Sequence, residues 1–232
     1  MKRLIVIIVI LATIFVGMII YKNVAIKASQ NISIQEVEEI ETYITKIYMW
    51  KEITGEALPS FEDINQANDV WIWEVVKKNL EEYELEYEQI ESKAKELFGA
   101  DLTKQFPKEG SEYLTYDEQT DQYYAVGRGL DEQEDCFLLN KIEKTKDGYE
   151  VEIIEYLEDY SKFMNEENDI IVIRNLDGEE IGNIKSNEEE RAKELVKANI
   201  DKFSKKKLIL KKDETKGTGQ NCFIKSVERV EK

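Results

Sequence analysis

Forty-nine aspartate and glutamate side chains and no histidine bound the chemistry open to this 232-residue chain. Without imidazole there is no Ser-His-Asp or Cys-His relay, no HExxH helix and no histidine-ligated metal. The two cysteines, Cys136 and Cys222, stand too far apart in sequence for a zinc ribbon. No GxxxxGK(S/T) stretch is present, so there is no P-loop. Gly127-Arg128-Gly129 lacks the third glycine of a dinucleotide site, and Gly217 and Gly219 read as a hairpin turn. Carboxylate chemistry remains. Glycoside hydrolysis needs two acids facing each other across a cleft, and calcium needs oxygen ligands. The densest acidic loop is Asp131, Glu132, Glu134 and Asp135, followed by Glu166, Glu167 and Asp169. Neither has the alternating acids and central glycine of an EF-hand loop. No catalytic, cofactor or metal residue is singled out, and no cofactor is expected.

Aromatic residues and thiols are the other candidates. Trp71 and Trp73 are two apart in a helical segment, so they cannot both face one core. One is expected at an edge or groove, which makes the pair a candidate partner patch. Tyr123 and Tyr124 straddle a strand in the same way. Cys136 and Cys222 begin strand-like runs, CFLLN and CFIKSV, and read as buried free thiols. One Cys136–Cys222 bridge stays open in an oxidising compartment.

The elements that position these groups start with an anchor. Lys2 and Arg3 precede Leu4–Tyr21, an uncharged run rich in Leu, Ile, Val, Phe and Met. As a helix this run would span about 27 Å, against a hydrocarbon core of roughly 30 Å. Tyr21 suits the interface and Lys22 can snorkel. The run is longer than a signal-peptide core, and no small-x-small site follows closely. Residues 1–27 are therefore expected to form an uncleaved transmembrane signal-anchor that meets the lipid bilayer through residues 4–21. Residues 28–33 form a tether, and residues 34–232 one acidic soluble domain. Positive charge before the run favours a cytoplasmic N-terminus, which puts the domain outside the cytoplasm.

The net charge is −17, and beyond residue 27 it is −21, from 28 basic and 49 acidic residues. Such a field repels nucleic acid and anionic lipid head groups, so no nucleic-acid partner is expected. With 42% hydrophobic residues and two prolines, the chain is neither disordered nor a Pro-rich stalk.

Ser33-Ile34-Gln35-Glu36 reads as a capping box opening a helix over 34–54, with Val37, Ile40, Ile44 and Ile47 on its inner stripe. A second apolar stripe from Ile72 to Leu97 predicts one helix over 69–98, or two with a break near Glu84. Alternation then takes over. Tyr113–Tyr116 and Tyr123–Val126, Cys136–Thr145 and Tyr149–Leu157, and Ile170–Asn175 and Glu180–Lys185 read as hairpins, the last two pairs turning on Asp-Gly. A helix capped at Asn187 runs to Phe203, and strands Lys207–Lys212 and Asn221–Val230 close the chain. Helices followed by hairpins predict an α+β domain, with helices packed on an antiparallel sheet.

ELFGADL at Glu96–Leu102, DGYEVEIIEYLEDY at Asp147–Tyr160 and NIDKFSKKKLILKKDE running into FIKSVERV resemble membrane-anchored nuclear-transport-factor-2-like domains of Gram-positive bacteria. The resemblance implies helices on a curved, cone-like sheet with a pocket. It implies no single activity, because such domains serve as enzymes, binding modules and assembly parts. The hairpin at 170–185 and the helix at 187–203 look like insertions into that cone. The expected function is a non-catalytic, extracytoplasmic binding domain for a protein or envelope component. A carboxylate-dependent envelope hydrolase and a cytoplasm-facing tethered adaptor are the alternatives.

Overall fold

The structure is a computed structural model that describes residues 27–28, 32–80, 82, 84–111, 114–126, 132–162, 169–213 and 222–230. The expected membrane run at 4–21 lies outside the described residues, as do Asp131, Glu166 and Glu167 of the acidic loops. Among the described residues, no helix is long and apolar enough to cross a membrane. The fold is α+β, with helices packed on antiparallel sheet.

Helix α1 (Ile34–Ile47) opens on the expected capping box. The Ser33 hydroxyl accepts the Glu36 N–H at 3.2 Å, and Glu36 accepts the Ser33 N–H at 2.9 Å. Glu36 also receives Lys144 Nζ at 2.6 Å and the Tyr149 hydroxyl at 2.8 Å, which ties the helix start to the sheet. Partial burial opposes the Glu36 charge. The bonds from Lys144, the Ser33 backbone, Tyr149 and the Ser33 hydroxyl outweigh it and hold the carboxyl down at about 2. A depressed carboxyl stabilises the fold above its unfolded value of 4.5, and that contribution is lost as pH falls toward about 2. Glu36→Gln is expected to flatten the decline of the urea midpoint across this window. An unchanged decline would show that Glu36 is not held this way in solution.

The first helix was expected to reach residue 54 but stops at Ile47. Lys78 Nζ takes the carbonyls of Thr45 at 3.0 Å and Tyr48 at 2.7 Å, and the Asn79 amide takes that of Lys46 at 2.9 Å. These donors satisfy the final carbonyls from outside, so no further turn is needed. Tyr48 turns extended, and a short helix α2 (Lys51–Thr54) follows, closed by Gly55 at φ 82°. The second stripe is two helices, α3 (Asp69–Lys78) and α4 (Tyr87–Phe98). Asn68 caps α3 by accepting the Val70 N–H at 2.8 Å. Between the helices, β2 (Glu84–Leu85) leaves the helical path to pair with β4 (Gln122–Ala125), which also pairs with β3 (Leu114–Asp117).

The main sheet is built on β5 (Gln133–Lys144) and β6 (Gly148–Asp159). A two-residue strand β1 (Lys27–Ala28) lies parallel on β5 at Lys141 and Ile142. The far edge of β6 is shared between two partners. Its first two-thirds pair with β9 (Ser204–Lys212), which carries β10 (Cys222–Val230). Its last three residues pair with β7 (Ile170–Arg174), which carries β8 (Glu180–Lys185). β9 crosses close to the start of β6, where a Cβ on Gly148 would run into the Leu210 carbonyl. Only glycine allows that approach.

Alternation along β6 builds two cores. Tyr149, Val151 and Ile153 face α1, α3 and α4 in the larger one. Ile154 and Tyr156 face the other way, into a smaller core with Ile171, Ile173, Ile184, Ala192, Val196 and Phe203. The segments that looked like insertions therefore have a structural job. The β7–β8 hairpin and helix α5 (Glu189–Ala198) cover one end of the back of the sheet. That helix starts two residues later than expected, where the Glu188 carboxylate accepts the Lys185 N–H, and it ends at Ala198, where the Asn199 amide takes the Leu195 carbonyl and a 3-10 turn over Ile200–Lys202 follows. The rest of the back face is charged, as at the 2.9 Å Lys207–Glu150 pair.

Candidate functional site

The tryptophan patch is corrected by the structure. Trp71 is 0% exposed and Trp73 is 3% exposed. Both are inside because α3 is covered on two sides, not one. Trp71 packs between Phe61 and Phe98, with ring centroids 5.7 and 5.4 Å away. Trp73 meets Phe106 at 5.2 Å, and Phe106 in turn meets Tyr123 of the small sheet at 5.3 Å. Tyr123 is buried and Tyr124 is half-buried. The exposed indole is Trp50, at 42%. A helix running unbroken to residue 54 would have put position 50 on the inner stripe with Ile47, and nothing in the sequence announced the break at Tyr48.

Both cysteines are free, Cys222 buried and Cys136 half-buried. Strand register rules out their bridge. Cys136 sits opposite Tyr156, near the end of β6, whereas Cys222 sits opposite Lys212, past the start of β6 and three strands away. The offset along the strands is about 30 Å, far beyond the roughly 7 Å that a disulfide allows. Burial pushes the Cys222 thiol up to about 12 and the Cys136 thiol higher, so neither is a nucleophile near neutral pH.

Four charged side chains do come together, and the alternation marks them. Asp135 shares the parity of Phe137 and Leu139 on β5, and Glu155 that of Val151 and Ile153 on β6. Lys206 shares that of Leu208 and Leu210 on β9, and Arg229 that of Val227 on β10. Each is a charge on a strand's helix-facing side, beyond the apolar stretch. Register makes them a row. Asp135 and Glu155 are diagonal neighbours, Glu155 stands beside Ser204 and so is diagonal to Lys206, and Lys206 stands directly across from Arg229. They line one pocket of about 220 Å³, together with Lys51, Gly55, Glu56, Ala57, Leu176 and Ser204.

The bonding within the pocket is uneven. Lys206 donates to the Leu58 carbonyl and to Glu56 at 2.8 Å, and lies 3.5 Å from Glu155 Oε1. Its three protons are thus all directed to protein acceptors. The Tyr48 hydroxyl reaches the Cys136 carbonyl at 3.1 Å and Glu155 Oε1 at 3.3 Å. The Lys51 N–H, at the start of α2, donates to Asp135 Oδ2 at 2.8 Å. The other oxygen of each acid, Asp135 Oδ1 and Glu155 Oε2, is buried with no partner among the described residues. Glu155 is 1% exposed. Burial raises its proton affinity more than Lys206 and Tyr48 lower it, and burial likewise raises that of Asp135. An unmet buried acceptor costs about 1–3 kcal/mol, more when charged.

Comparison with known proteins found no family model, no curated protein and no solved structure that matches this chain. The site therefore rests on its own chemistry. Larger concavities exist, including one of about 660 Å³ between α1 and α3 and one of about 560 Å³ beside Phe98 and Phe223. Among the described residues, neither is lined by a buried side-chain acceptor left without a partner, which is what distinguishes the smaller pocket. Among the described residues, no group of three or more Cys, Asp or Glu side chains is arranged to hold a metal.

Proposed function

We propose that this chain is a single-pass membrane protein with a non-catalytic, extracytoplasmic recognition domain, and that it recognises its partner through the Asp135–Glu155 pocket. The observation that carries the reading is that Asp135 and Glu155 both line the pocket and that each holds one buried oxygen, Oδ1 and Oε2, without a hydrogen-bond partner among the described residues. A buried acceptor that lines a pocket and lacks a partner gains from a donor that a bound molecule brings. Trp50, one residue before the Lys51 amide that holds Asp135, is an exposed aromatic next in sequence to the pocket lining. The resemblance to nuclear-transport-factor-2-like domains is part of the same proposal, because those domains also hold a pocket between helices and sheet.

The test is capture in intact cells. A photo-cross-linking amino acid at Lys51 keeps the N–H bond to Asp135 and places the probe on the pocket wall. The expected result is a captured species that disappears in Asp135→Asn while the domain stays folded. Capture that persists in Asp135→Asn would overturn the pocket as the recognition site.

A carboxylate-dependent hydrolase is the second reading, and one observation favours it. Two acids of raised proton affinity share a pocket. Binding fits better because one oxygen of each acid is already tied. The pocket is also smaller than the roughly 300–1,000 Å³ of usual ligand sites. Release of reducing ends from envelope polymer by the full chain, lost in Asp135→Asn, would reverse this preference.

A further inference from the structure

We infer that the pocket takes a small zwitterion carrying a primary ammonium and a carboxylate, the chemical class of the amino acids, with the ammonium on Asp135 and Glu155 and the carboxylate toward Arg229. The inference rests on the reading of this pocket as the recognition site, and it names what is recognised. The pocket floor is bipolar. Acids come from β5 and β6, and bases from β9 and β10, in the order Asp135, Glu155, Lys206, Arg229. Three strand spacings of about 4.8 Å and a four-residue offset along the strands put the backbones of Asp135 and Arg229 roughly 20 Å apart, and those of Glu155 and Arg229 roughly 12 Å apart, a gap that the two side chains reaching in reduce to that of a small molecule.

The charges of the lining balance. Glu56, Asp135 and Glu155 face Lys51, Lys206 and Arg229. A balanced lining has no net field with which to select a bare cation or a bare anion. What it presents is separated charge, and a ligand with separated charge of the opposite sense complements it. The identity of the unfilled atoms sets the orientation. Both belong to carboxylates that line the acidic end of the pocket, so that end takes a donor rather than an acceptor. An ammonium offers three, and charge-assisted bonds to carboxylates are the strong kind. Lys206 does not compete for the ligand's carboxylate, because Leu58, Glu56 and Glu155 already receive its protons. Arg229 is exposed on the edge strand, and its fork suits a carboxylate. A volume of about 220 Å³ equals roughly seven waters of liquid, the scale of an amino acid.

The experiment is calorimetric titration of the full chain in mild detergent with glycine, β-alanine and 4-aminobutyrate. Butylammonium, butyrate and glucose serve as single-charge and neutral controls. At least one zwitterion is expected to saturate the protein about tenfold more tightly than butylammonium or butyrate. Asp135→Asn should weaken that zwitterion by about tenfold. Arg229→Gln, at an exposed position, should bring it down to the level of butylammonium. Butylammonium binding as tightly as every zwitterion, or zwitterion binding indifferent to Asp135→Asn, would overturn the inference. Saturation by glucose alone would overturn the ligand class and leave the recognition site standing. If no compound saturates, the ligand class falls. If cross-linking from Lys51 is also indifferent to Asp135→Asn, the recognition site falls with it.

Discussion

Trp71→Ala is expected to destabilise the domain by about 3–5 kcal/mol, the range for removing a large aromatic from a close-packed core. The indole is fully enclosed between Phe61 and Phe98. Phe61 is itself paired through its backbone to Val227 of β10, so the cavity would open where helix α3 meets the sheet edge. One feature tempers the loss. Trp71 Nε1 is buried without a hydrogen-bond partner among the described residues, and truncation removes that unmet donor. The net should still be large, because ring contacts on both faces outweigh one unsatisfied N–H. Urea unfolding of the purified chain reads the effect as a lower midpoint with little change in slope. Trp50→Ala is the contrast. Its ring is exposed, and the change should stay within about 0.5 kcal/mol. Equal stability of Trp71→Ala and the parent would mean that α3 is not sandwiched as described.

That contrast shows where sequence reasoning reaches and where it stops. Periodicity was legible where one element has one buried face. The stripe of Val37, Ile40, Ile44 and Ile47, the Ser33–Glu36 box and the Asp-Gly turns of both long hairpins all stand where local rules put them. Periodicity failed on α3, where Trp71 through Val76 are buried continuously because a second small sheet closes the side that solvent would otherwise occupy. A helix covered all round carries no stripe to read. The break after Ile47 was equally hidden, since its cause is Lys78 and Asn79 arriving from another helix. The site was half legible. Lys206 lies in SKKKLILKK, where five lysines look alike, and two of them, Lys206 and Lys212, share the parity of Leu208 and Leu210. The strands could therefore be read for misplaced charge. Which misplaced charges meet depends on register across four strands, and no local pattern records that.

Lys206→Met tests the centre of that row, and its cost should be about 3–5 kcal/mol at neutral pH. The two side chains are nearly isosteric, so packing changes little and the loss is electrostatic. Removing the ammonium leaves Glu155 buried beside Glu56 and Asp135, with the Tyr48 hydroxyl as its remaining close donor. Lys51 and Arg229, the other cations of the pocket, lie on α2 and β10. Glu155 already has raised proton affinity in the intact protein, and losing Lys206 takes away the largest influence that lowers it. The sign of the pH dependence follows. A carboxyl whose folded pKa is raised stabilises the fold below its unfolded value and loses that contribution as pH rises through the folded one. The gap between Lys206→Met and the parent should therefore narrow on acidification, as Glu155 takes up a proton and becomes neutral. Glu155→Gln added to Lys206→Met should recover part of the loss at neutral pH and abolish the pH dependence of the gap, because an amide carries no charge to strand. Urea midpoints for the four proteins at neutral and mildly acidic pH complete the cycle. A gap that is constant with pH and untouched by Glu155→Gln would mean that Lys206 stabilises the fold through its stem and the Leu58 carbonyl alone. Glu155 would then be free to serve the pocket without structural duty.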